Sequence, residues 1–108
     1  MSIATNSVWV KESPIVVVDG EVKTYGIVYK HDVSQVGTMK VWKNGTSDES
    51  ATVLSGNLQA NGNVLTLKTI DFTGYGNSTL VAEWSATVNG QTIIRKCKFF
   101  CKQGKSVV

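Results

Sequence analysis

The sequence predicts an all-β protein, an antiparallel sandwich of seven to eight short strands in two sheets. Three observations predict it. Apolar and polar residues alternate with a period of two along several segments, the mark of a strand with one buried and one wetter face. Turn signals recur roughly every 8–12 residues. No ten-residue stretch repeats its apolar groups at helical spacing.

The strongest alternation lies in residues 78–102. Leu80, Ala82, Trp84, Ala86 and Val88 fall on every second residue. Thr79, Glu83, Ser85 and Thr87 lie between them, and Val81 is the one apolar exception. Asn89-Gly90 follows, a pair that accepts positive φ at both central positions of a type I′ turn. With those two residues as the whole loop, Trp84 faces Arg95, Ala82 faces Cys97, Leu80 faces Phe99 and Ala86 faces Ile93. The expected core is therefore Leu80, Ala82, Trp84, Ala86, Val88, Ile93, Cys97 and Phe99. A one-residue slip would turn these groups to solvent, so the pattern fixes the register.

The other elements follow in chain order. Residues 7–12 read as a first strand, which Ser13-Pro14 interrupts because proline cannot donate to a ladder. The β-branched run 15–18 reads as an edge or sheet-switching strand, closed by the turn signal Asp19-Gly20. Residues 21–31 carry apolar groups at both parities, which suggests a central strand, and Gly26 marks a bulge or a close approach. A polar connection, 31–35, leads to a strand over 36–43. Residues 44–50 form a polar loop, and 51–54 read as a short strand. Residues 55–63 are turn-rich, with Leu58 as their one apolar anchor. Residues 63–70 alternate again. The loop 71–77 is glycine-containing, with Phe72 or Tyr75 plugging the end of the core.

Composition sets the outer limits. A chain of 108 residues makes one domain, residues 1–108, with frayed ends near 1–6 and 103–108. The hydrophobic share of 42% argues against disorder, and the net charge of +3 permits an acidic partner without requiring one. No basic-then-apolar leader and no membrane-length apolar run is present, so the expectation is cytoplasmic synthesis without membrane insertion. Cys97 and Cys101, about 13 Å apart on one strand face, are too far apart to bridge each other. They read as small buried groups, with a metal pair or an intermolecular disulfide as the alternatives.

The strand over 63–70, the loop Gly74-Tyr75-Gly76 and the long alternating strand ending in Val88-Asn89-Gly90 resemble those of immunoglobulin-like sandwich modules. Such modules occur in prokaryotic and phage structural or surface proteins. The resemblance covers nearly the whole chain at the level of pattern. It departs from antibody-type domains, in which two facing strands carry one cysteine each. It implies a structural or binding role, as in capsid decoration, tail appendages or adhesins.

Catalytic and cofactor patterns are thin. His31, beside Asp32, is the one histidine, and no nucleophile-elbow Gly-x-Ser-x-Gly occurs. The cysteines lack zinc-finger spacing, the Asn44, Asp48 and Glu49 group lacks the twelve-residue calcium pattern, and no phosphate-cradling glycine motif is present. The expectation is no enzyme, no cofactor and no metal. Asn44-Gly-Thr46 and Asn77-Ser-Thr79 match the glycosylation pattern but read as turns.

The surface offers more. Lys96, Lys98 and Lys102 share the outward parity of the last strand with Ile94 and Phe100. The plain reading is protection of an edge or exposed face; the functional one is contact with an acidic protein surface or phosphate. Nucleic acid would bring a larger basic excess and more interleaved aromatics. Trp9 and Trp42 share parity with Lys11 and Lys40, and read as core, protein contact or sugar platform. Arg95, facing Trp84, can stack on the indole; its plain reading is packing, and its functional one a buried ligand clamp. Two functions follow. The first is a non-enzymatic interaction module, virion-associated or part of a surface assembly, touching itself or another protein through Trp9, Trp42, Ile94, Lys96, Lys98, Phe100 and Lys102. The alternative is a carbohydrate-binding module using Trp42, Tyr29 and the 44–50 loop.

Overall fold

The computed structural model describes residues 6–9, as backbone, and residues 14–104. The readings on residues 1–5, 10–13 and 105–108, and on the side chain of Trp9, lie outside the described residues. The elements are β1 (Asn6–Trp9), β2 (Ile15–Val18), β3 (Val22–Lys23), β4 (Gly26–Val28), β5 (Val33–Lys43), α1 (Ser50–Val53), β6 (Leu54–Ser55), β7 (Gln59–Asn61), β8 (Val64–Thr66), β9 (Thr69–Asp71), β10 (Ser78–Val88) and β11 (Gln91–Lys102).

Among the described residues the protein is nearly all-β, with one turn of helix. The eleven strands are pieces of seven chain runs: β1 with β2, β3 with β4, β5, β6 with β7, β8 with β9, β10, and β11. β10 and β11 form the central hairpin, with Leu80 opposite Phe99, Ala82 opposite Cys97, Trp84 opposite Arg95 and Ala86 opposite Ile93. Asn89 (φ 51°) and Gly90 (φ 77°) make the turn, both left-handed as a type I′ turn requires. β5 pairs antiparallel with the other side of β10.

β1 and β2 lie beyond β11 and run parallel to it, Asn6 opposite Ile93 and Ile15 opposite Phe99. The sheet is therefore mixed, which corrects the antiparallel expectation. Hairpin loops force antiparallel neighbours, but nearly the whole chain separates the first run from the last, so its direction was free. Pro14 precedes β2 on this outer position, where a missing N–H costs no ladder bond.

The remaining strands form two short ladders, β3-β9-β6 and β4-β8-β7, built from the same three chain runs. Lys23 faces Ile70, yet Gly26 faces Thr66, so Thr24 and Tyr25 span three residues of the neighbouring run. This bulge splits the layer in two. The Leu67 N–H donates to the Tyr25 carbonyl across the break (2.8 Å). Residues 21–31 thus end as β3 and β4 at the border of this layer, not at its centre. Val22 and Val28 are simply exposed, so apolar groups at both parities did not signal cover on both faces.

Two further readings change. Residues 51–54 were expected as a strand, but Ser50–Val53 is a helical turn. Asp48 Oδ1 accepts the Ser50 N–H (2.8 Å) and its hydroxyl, and this local side-chain turn overrides the β-branched composition. β5 begins at Val33, so most of the expected polar connection is strand.

The core lies between the large sheet and the two short ladders. Trp84, Phe72, Phe99, Leu65, Ile70 and Leu80 are fully buried, drawn from both layers. Ala82, Ala86, Val88 and Cys97 are buried, and Ile93 packs half-buried against them. Phe72 plugs one end, its ring 5.3 Å from Phe99, while Tyr75 stays half-buried. Gln103 is held by Asn77 Nδ2 (2.6 Å), so the expected fraying does not begin there.

Candidate interaction surface

Once Arg95, Cys97, Phe99 and Cys101 turn inward, Ile94, Lys96, Lys98, Phe100 and Lys102 must turn outward. Ile94 and Lys96 are half-buried; Lys98, Phe100 and Lys102 are exposed. Ile94 lies opposite Ser85, and Lys96 opposite Glu83. On its other side Glu83 faces Lys40, whose Nζ is 3.6 Å from the carboxylate.

Trp42 is half-buried on the same outer face, with Lys40 Nζ 6.0 Å from its ring centroid. Lys40, Trp42, Thr46, Asp48, Glu83 and Lys96 border a shallow hollow of about 390 Å³. Val81 sits in register between Trp42 and Lys98 and is only 4% exposed, despite its outward parity. Indole and lysine stem are the neighbours placed to cover it. The exception in the alternation thus marks a small apolar layer on the outside of the sheet.

The other end of this face is open. Phe100 (41% exposed) is in register with Val16 (58%), and Val18 is in register with Lys102. These three form an exposed apolar strip bordered by lysine. Val16 and Val18 were not singled out as contact residues in the sequence. The signal was there: alternate members of a β-branched strand on the outer edge must face away from the core.

Arg95 does not stack on Trp84. Its guanidinium carbon lies 5.0 Å from the Tyr29 ring centroid, across the interior, and the Trp84 indole donates to the Tyr29 hydroxyl (3.2 Å). Trp84 and Arg95 are ladder partners, but the cation reaches the opposite layer. Tyr29 is 4% exposed, which removes it from the sugar-platform set. Burial raises its hydroxyl pKa, and the indole N–H and the guanidinium pull against that.

Tyr25 is pushed up to about 12, chiefly by burial. The Cys101 thiol is also raised by burial, and both cysteines are buried. His31 is exposed. Asp48 is held low by its bonds to Ser50 and closes a turn. Among the described residues no group of three or more His, Cys, Asp or Glu is placed to hold a metal ion. Among them, too, no helix is long and apolar enough to cross a membrane. No protein-family profile matches the chain, and no curated protein matches its sequence.

Proposed function

We propose that the chain is a non-enzymatic interaction module of immunoglobulin-like architecture, a component of a virion or surface assembly. The observation that carries this is the Val16–Val18–Phe100 strip. It is apolar, exposed, bordered by lysine and contiguous across two strands. Such a strip favours a protein partner with apolar groups facing it and acidic groups around them. The run order supports the architecture. The third, sixth and seventh runs adjoin in one layer, and the second, fifth and fourth in the other, as in constant-type immunoglobulin sheets. The first run differs, lying against the seventh rather than the second.

Replacing Val16 and Phe100 together by Ser tests the reading. Wild-type protein is expected to self-associate in light scattering, or to retain a partner in capture from native material. The double variant loses both with its melting temperature unchanged. A variant that keeps them, or a wild type that stays monomeric and captures nothing, overturns the reading.

A second reading, sugar binding, keeps the Trp42 hollow and the 44–50 loop but no longer Tyr29. Saturable quenching of tryptophan emission by sugars, lost in Trp42→Ala, would favour it.

A further inference from the structure

Arg95 brings a cation to the interior with one of its donors unmet among the described residues. A cleft of about 600 Å³ opens between the large sheet and the short ladders, lined by Ile15, Tyr25, Leu67, Trp84, Arg95 and Phe99, among others. Among the described residues, Arg95 is the one charged residue in that lining. Its Nε is shielded from solvent and has no hydrogen-bond partner among the described residues. The ion pairs among those residues join Lys23 to Glu21 and Lys40 to Glu83, and neither involves Arg95. A shielded donor of a permanent cation, left unmet, is costly, and such groups are uncommon in folded proteins.

We infer that this cleft binds a small organic monocarboxylate with an apolar body, its carboxylate held by Arg95. The guanidinium is a planar fork matched to a carboxylate, and its position over the Tyr29 ring holds it before any ligand arrives. One cation among uncharged walls matches one negative charge. A dianion such as phosphate would bring a second charge into an apolar lining with nothing to meet it. The tail of the acid lies along Ile15, Tyr25, Leu67 and Phe99, and the size of the cleft suits a ligand of that kind. This site is separate from the outward strip, and neither reading depends on the other.

Octanoate is the probe and octanol its neutral match, titrated below their aggregation limits. Calorimetry and tryptophan emission, to which Trp84 in the lining contributes, provide the readouts. Octanoate is expected to bind saturably, with octanol weaker by about tenfold or more. In Arg95→Gln the octanoate affinity falls to the octanol level, while Arg95→Lys retains part of the preference. Absence of saturable octanoate binding, equal binding of the two probes to wild type, or an unchanged preference in Arg95→Gln overturns the inference. If Arg95→Gln does not fold, the wild-type comparison and Arg95→Lys decide it: a preference that is reduced or lost in a folded Arg95→Lys, with wild type discriminating, supports the assignment to this guanidinium. An Arg95→Lys protein discriminating as strongly as wild type, when Arg95→Gln is unfolded, overturns it.

Discussion

One layer is built on an unbroken hairpin of two long strands, the other on short ladders of two or three residues each. β10 and β11 pair residue for residue from Ser78 to Val88, whereas the runs opposite them pair two or three residues at a time. In the hairpin, turn chemistry and alternation specify the same register, so nothing interrupts the ladder. In the short ladders, apolar residues at both parities, exposed valines and a bulge leave the register to tertiary packing.

The contrast can be broken hardest at Trp84. Trp84→Ala is expected to cost about 3–5 kcal/mol, because the cavity would open between both layers. Urea denaturation would measure it. A cost below about 1 kcal/mol would mean that the hairpin does not organise the core.

Two strand glycines sharpen the comparison. A Cβ at position 37 would strike the Ser85 hydroxyl and lie 2.8 Å from the Ser85 carbonyl, at the bulge where β5 meets β10. Gly37→Ala is therefore expected to destabilise by about 1–3 kcal/mol. At position 26 a Cβ would meet only Val64, at an ordinary 3.8 Å, and the backbone is not left-handed. Gly26→Ala is expected to be neutral, or stabilising by a few tenths of a kcal/mol up to about 1 kcal/mol. Thermal melts of the pair give the sign of each directly.

A further expected effect is alkaline. Tyr25 ionises at about 12 in the folded chain, against an ordinary value of 10. Below pH 10 both states keep the proton and stability is unaffected by this group. Between pH 10 and about 12 the unfolded chain loses it first, so stability falls as pH rises. Tyr29 and Tyr75 shift in the same direction. Tyr25→Phe should flatten part of that slope in pH-dependent denaturation. An identical slope would locate the titration elsewhere.

The hairpin was legible because it depends on spacing alone: Asn89-Gly90 and every second residue on either side place the core partners. The first run was not, since its direction and neighbour are set by packing against a strand more than eighty residues away. Gly26 attracted notice as a glycine inside an apparent strand, while Gly37, which the sheet cannot replace, lies in the expected strand over 36–43 and was passed over. Its constraint is the Ser85 backbone, visible only once β5 and β10 are side by side. On the surface, parity found Phe100 and the lysines. The identity of Phe100's neighbour, Val16, had to wait for the parallel pairing.

That pairing has a mechanical consequence. The first and last runs lie side by side and point the same way, so the two chain ends leave at opposite ends of the strands. Tension drawn between them slides β1 and β2 along β11, straining their cross-strand bonds together instead of peeling them apart in turn. A protein tethered at both ends would resist extension first at this seam, with the exposed valines riding on it.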